Sequence, residues 1–174
     1  MANPRVGIVM GSDSDLPVMK DTTEVLEQLD IEYEVVISSA HRVPQKTAHY
    51  ASSAEERGLE VIIAAAGGAA HLAGVIAAET VLPVIGVPIK TSTLGGLDSL
   101  YSIVQMPRGI PVATMAINGA KNAGIFAAQI VGVKDAAVRQ RVKQFKQEMA
   151  KGVEQKDEEL QRLGVKAYLA EMEK

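Results

Sequence analysis

The chain contains no cysteine, which excludes disulfides and thiolate metal sites alike. Aromatic residues amount to only 3%, so there is little to stack on a flavin ring and the core must come from Ala, Val, Ile and Leu. An excess of positive charge is also missing. With 18 Lys and Arg against 21 Asp and Glu, the net charge is −3, which argues against nucleic acid as the main partner. No apolar run approaches the ~18 residues of a membrane span. The opening Met1-Ala2-Asn3-Pro4-Arg5 has neither the basic nor the apolar region of a signal peptide, so the expectation is a soluble, cytoplasmic protein with no membrane partner. There is no Gly-x-Ser-x-Gly elbow, no Gly-x-Gly-x-x-Gly after a strand, and no His or carboxylate cluster at metal-ligand spacing.

What is present is a chain of 174 residues, 47% hydrophobic, long enough for one domain with a substantial core. We expect a single domain over residues 1–174. Strand and helix signals alternate along it. Val6 to Met10 is a short apolar run, followed by Gly11-Ser12-Asp13-Ser14-Asp15 and a helical pattern from about Leu16 to Leu29. Tyr33 to Ile37 reads as a second strand, and Pro44 to Arg57 as a second helix capped by Gly58. Val61 to Ala66 is apolar without alternation, as in a strand covered on both faces. A helix of small residues then runs to about Thr80, Pro83 to Val87 forms a fourth strand ended by Pro88, and Val112 to Ile117 a fifth. The expected fold class is α/β, with a five-stranded, parallel, doubly wound sheet.

Two regions break this rhythm. Ile89 to Pro111 is a long connection with a short helix expected over Leu97 to Val104, and such a segment serves as an active-site cover or a subunit contact. Lys134 to Lys174 is strongly charged but carries Val138, Val142, Phe145, Met149 and Val153 at three- and four-residue spacing. After Gly152 a second helical piece brings Leu160, Leu163, Tyr168 and Leu169. Two helical pieces exceed what one small sheet needs for cover, so this reads as an arm packing partly on a neighbouring subunit.

In a parallel sheet the loops after the first three strands meet above the carboxyl edge, which is where open α/β sheets bind ligands. Gly11 to Asp15, Ser38 to Arg42 and Ala66 to His71 should therefore form one site. Gly11 permits close approach of a ligand, Ser12 and Ser14 offer hydroxyls, and the helix start behind them favours an anion. Asp15 suits the paired hydroxyls of a sugar; Ser14 or Asp15 is equally consistent with a plain helix N-cap. Arg42 is a bidentate donor for phosphate. The loop that carries it should be stiff, because Pro44 fits a first helical turn and drives Val43 to an extended conformation. Gly67-Gly68-Ala69-Ala70 leaves backbone amides open to a flat ring or small carboxylate, or alternatively allows tight packing. His41 and His71 lie on these loops, whereas His49 falls inside the second helix and should be a surface residue. A histidine can give and accept protons near neutrality. The residues thus point to acid–base chemistry on a phosphorylated small molecule.

Four motifs carry a resemblance. Gly11-Ser12-Asp13-Ser14-Asp15, Ser39-Ala40-His41-Arg42, Ala66-Gly67-Gly68-Ala69-Ala70-His71-Leu72 and Asp98-Ser99-Leu100-Tyr101-Ser102-Ile103-Val104-Gln105-Met106-Pro107 together resemble the PurE family of purine biosynthesis. The likeness covers about residues 5–131 as core, leaving a C-terminal helical extension over about 134–174, and departs at Ala73, where many relatives carry Pro. It implies a flavodoxin-like three-layer αβα sandwich, a homo-octamer, and no metal or organic cofactor. The implied reaction moves a carboxylate from the exocyclic nitrogen of N5-carboxyaminoimidazole ribonucleotide to carbon 4 of its ring, an isomerase reaction of IMP biosynthesis. The substrate would be handed over by the carboxyaminoimidazole ribonucleotide synthetase. By the matching motifs His41 would be the general acid and base, Ser12 and Arg42 would hold the phosphate, and Asp15 the ribose. The same motifs place Ser39, Ala40, Ala66, Gly67, His71 and Leu72 among the substrate-binding residues. His71 would line the ring and carboxylate site and hydrogen-bond its neighbours; merely capping or packing the following helix is the competing role. Two other functions compete: direct carboxylation of aminoimidazole ribonucleotide with CO2 on the same fold, and a non-catalytic phosphate- or flavin-binding module of flavodoxin type.

Overall fold

Five strands, β1 (Val6–Met10), β2 (Tyr33–Ile37), β3 (Val61–Gly67), β4 (Val84–Ile89) and β5 (Ala113–Thr114), form one sheet in the computed structural model. The structure describes residues 3–172, so Met1 and Ala2 of the opening segment lie outside it. All strand pairs are parallel and the order is β2-β1-β3-β4-β5. The direction of winding reverses between β1 and β3, so the chain leaves these neighbouring strands toward opposite sides and opens a crevice above their carboxyl ends. Around the sheet stand α1 (Leu16–Gln28), α2 (Pro44–Ser52), α3 (Leu72–Glu79), α4 (Leu97–Val104), α5 (Ala120–Val131), α6 (Ala136–Leu163) and α7 (Val165–Met172).

The unbroken apolar strands are explained by burial on two faces. Val6, Ile8 and Met10 of β1 belong to one core with Met19 and Leu26 of α1, Ala123 and Ala127 of α5, and Val138 and Phe145 of α6. Val9 points the other way, into a second core with Tyr50 of α2, Leu72 and Ile76 of α3 and Ile103 of α4. The result is the expected flavodoxin-like three-layer sandwich. Small residues let its helices come close. A Cβ on Gly124 of α5 would collide with the Val25 side chain of α1, and the Thr22 hydroxyl of α1 donates to the Ala120 carbonyl at 2.8 Å.

Several boundaries differ from the sequence expectation. The second helix ends at Ser52, not Arg57. The hydroxyls of Ser52 and Ser53 both donate to the His49 carbonyl beside the Ser53 N–H, and the chain then runs in turns closed by Gly58 (φ +91°). Pro88 lies within β4 instead of ending it. Its nitrogen faces the side where β5 has already stopped, so no ladder bond is lost, while its carbonyl accepts from the Asn118 N–H at 2.8 Å. The fifth strand keeps only two of the six expected residues, because after Thr114 the chain turns off toward Asn118 (φ +56°). Gly152 does not divide the C-terminal region. A single glycine inside a helix costs only about 1 kcal/mol relative to alanine, and α6 runs through it to Gly164, whose φ of +73° makes the break.

The first half of α6 belongs to this domain. Asp135 caps it, accepting from Ala137 and Val138 N–H at 2.9 and 3.1 Å, and also pairs with Arg5 at 2.7 Å. The Arg5 hydrogen bond, with those two N–H donors, holds the Asp135 carboxyl below its ordinary range. Arg141 donates to the Leu29 carbonyl at 2.6 Å. Beyond Phe145 the apolar stripe is uncovered: Met149 and Val153 are exposed, as are Val165, Leu169 and Met172 of α7.

Candidate active site

The carboxyl edge of the sheet carries a cavity of about 600 Å³ between the β1, β2, β3 and β4 loops, within the range of small-molecule sites. The residues that the motifs assign to catalysis and binding, Ser12, Asp15, Ser39, Ala40, His41, Arg42, Ala66, Gly67, His71 and Leu72, all line it, whereas Asp13, Ser38, Gly68 and Ala70 of the same loops do not.

Register brings these loops together. The Gly11 N–H donates to the Ala65 carbonyl at 3.2 Å and the Ser38 N–H to the Met10 carbonyl at 2.8 Å, so the three strand ends are level. The β1 loop is a single 3-10 turn, Asp13–Asp15, capped by Ser12, whose Oγ accepts from the Ser14 N–H at 3.3 Å. Ser12 thus takes the capping part that the sequence left open between Ser14 and Asp15. Asp15 makes no capping bond to α1. It is buried, and desolvation pushes its carboxyl above the ordinary range despite the Ser14 hydroxyl bonded to it at 3.3 Å. A buried carboxylate with spare acceptor capacity suits sugar hydroxyls.

The β2 loop is held at both ends. Ser38 and Thr47 share a buried hydroxyl–hydroxyl bond of 2.8 Å, and the Val43 N–H closes onto the Ser39 carbonyl at 2.9 Å. Val43 stays outside the helical region (φ −139°, ψ 59°) as the following Pro44 requires. Arg42 reaches back across the edge, its Nη2 donating to the Gly11 carbonyl at 2.8 Å. That single contact aims the guanidinium at the β1 loop and leaves other donors of the fork for an anion.

His41 and His71 meet directly. Nε2 of His41 lies 2.9 Å from Nδ1 of His71, with ring planes at 88°. His71 occupies the N-cap position of α3 without making a side-chain cap. In such a pair one ring nitrogen donates and the other accepts, so the tautomer of His71 sets that of His41. If Nε2 of His41 carries the proton, Nδ1 is a base; if Nε2 accepts, Nδ1 is an acid. His49 is exposed on α2, away from the cavity.

Ile89, Lys90, Thr91 and Ser92 also line the cavity; they open the segment that the sequence marks as an active-site cover or a subunit contact, but are not named there as site residues. The signal was topological: the loop after the fourth strand lies on the same edge, next to the β3 loop. It is ordered by the Lys90 N–H donating to Asn118 Oδ1 at 2.8 Å and by the Thr91 hydroxyl donating to Asp98 at 2.8 Å.

The chain is similar to known proteins over most of its length. The profile of the AIR carboxylase family matches residues 5–152. The N5-carboxyaminoimidazole ribonucleotide mutase of Thermotoga maritima is 61% identical over 170 residues, covering 98% of this chain and 99% of that protein. The protein of the same name from Pyrococcus horikoshii is 56% identical, covering 97% and 95%. Among solved structures, Treponema denticola PurE superimposes with a TM-score of 0.82 at 29% identity, covering 90% of this chain and 98% of that one.

Proposed function

The chain belongs to the AIR carboxylase family, and we propose how its residues perform the activity that its mutase-named relatives indicate. That activity is the isomerisation of N5-carboxyaminoimidazole ribonucleotide to 4-carboxy-5-aminoimidazole ribonucleotide in purine biosynthesis. The observation that carries the mechanism is the His41–His71 pair at the wall of a cavity that Arg42, Ser12 and the small-residue β3 loop also line.

In this reading the phosphate sits against Ser12 and Arg42, and Asp15 takes the ribose hydroxyls. The ring lies over Ala66 and Gly67, beside Ser39, Ala40 and Leu72. His41 gives its proton to the exocyclic nitrogen as the N–CO2 bond breaks, leaving an amine and CO2. The electron-rich C4 of the ring then attacks CO2, forming the new C–C bond. His41, now a base, removes the proton displaced from C4 and is restored. His71 holds the imidazole in place and supplies the tautomer each step needs. The walls at Ala66, Gly67 and Leu72 are short or apolar, so they offer released CO2 little water to react with.

The discriminating assay supplies the enzyme with the N-carboxylated ribonucleotide or with aminoimidazole ribonucleotide plus bicarbonate, at low substrate. We expect rapid formation of the ring carboxylate from the first and formation from the second only at high bicarbonate. Equal initial rates, or a faster second reaction, would point to the direct carboxylase.

We also propose a homo-oligomer, an octamer by the family resemblance. Leu97, Tyr101 and Val104 form an exposed apolar stripe on α4, each about half or more accessible, and Met149, Val153, Val165 and Leu169 leave another on α6 and α7. Contiguous apolar surface of this kind marks an interface. Light scattering at micromolar concentration should give a mass several times that of one chain; a monomer would overturn this.

A further inference from the structure

The motif Asp98–Pro107 helped to place the chain in its family, yet none of its side chains enters the reaction proposed above. Ser99, on α4, is fully buried. Its Oγ accepts from the Gly68 N–H at 2.9 Å and donates to the Ile89 carbonyl at 2.7 Å. These two partners have a specific place. The β3–β4 ladder ends at the pair Gly67↔Ile89, so one hydroxyl satisfies a donor and an acceptor at the point where the strands part to admit the cavity. Ser102, one turn on, lies 2.7 Å from the Asp98 carbonyl and 3.3 Å from that of Gly68. Gly68 has φ +67°, and its carbonyl also accepts from the Ala70 N–H at 2.8 Å; the His71 N–H then closes onto Ala69 at 2.9 Å. The tight turns that deliver the His71 ring to His41 therefore begin at the peptide that Ser99 holds.

We propose that Ser99 is a positioning residue for the acid–base pair: by gripping Gly68 and Ile89 together it sets the β3 loop, and through that loop it aims Nδ1 of His71 at Nε2 of His41. This rests on the reading of His41 as the proton-transfer group. Ser12 and Arg42 sit on the β1 and β2 loops, which Ser99 does not touch, so the phosphate end should be indifferent to it.

The test compares Ser99→Ala with the unaltered full-length protein. Four quantities are measured: kcat and KM for the N-carboxylated ribonucleotide, the dissociation constant of ribose 5-phosphate, and the imidazole nitrogen signals of His41 and His71 by NMR. We expect kcat to fall about 10- to 100-fold, as misplacement of a reacting group does, with KM and the ribose 5-phosphate constant within about threefold. The imidazole signals should change or broaden. Ser99→Cys, close to serine in size but a weak hydrogen-bonding group, provides a second variant should the alanine protein not fold, and the same pattern is expected. Wild-type kcat with unchanged imidazole signals in a folded variant would overturn the proposal. A loss of ribose 5-phosphate affinity parallel to the loss of kcat would overturn it too, because the effect would then be on the whole fold. If the unaltered protein itself fails to bind ribose 5-phosphate, the phosphate assignment falls, and the imidazole signals alone decide the role of Ser99.

Discussion

Replacing His41 by asparagine should lower kcat by about 10²- to 10⁴-fold, the range that a positioned acid–base group contributes, while ligand affinity stays within about tenfold. Asparagine keeps a planar polar group near the position of the inner imidazole nitrogen, so the loop retains its shape and its hydrogen bonds between Ser39 and Val43. What disappears is a group able to lose a proton to the exocyclic nitrogen and then recover one from C4. His71 does not substitute for it, because its Nδ1 is already directed at His41. Initial rates together with calorimetric binding of the product separate the two effects. Turnover within a few-fold of the unaltered enzyme would sink the assignment of His41. A parallel collapse of affinity would indicate that the loop had been lost with the side chain.

Arg42→Ala should act on binding instead. Removal of a charge-assisted donor to phosphate costs on the order of 2 kcal/mol or more, roughly a thirtyfold weaker dissociation constant. The guanidinium is held toward the β1 loop by its 2.8 Å bond to the Gly11 carbonyl, so little ordering remains to be done when the anion arrives, and the loss should appear in affinity more than in kcat. Because the group is exposed, the effect should shrink as ionic strength rises. Titration of ribose 5-phosphate at two salt concentrations checks both statements. An unchanged constant would move the phosphate to another part of the cavity.

Much of this architecture follows from local pattern. Val6 to Met10 and Val61 to Ala66 are apolar without alternation, which only a strand covered on both faces can satisfy, and parallel pairing then obliges the loops after those strands to share one edge. That is why Ser12, Asp15, His41, Arg42 and His71 could be placed in one site from residue order alone, and why Lys90 to Ser92 could have been added by the same rule. The caps were less legible. Ser14 and Asp15 both suit a helix start, yet Asp15 is buried beside the cavity and it is Ser12 that makes the capping bond, on the 3-10 turn.

The sequence by itself determined which residues reach the carboxyl edge, because strand periodicity and parallel crossovers are set within short stretches of chain. Only the tertiary structure decided how those residues are used. Whether Pro88 ends a strand depends on where β5 stops. That His71 meets His41, and that Ser99 closes the ladder beneath them, involves partners about thirty residues apart, whose hydrogen bonds exist only after the strands have aligned.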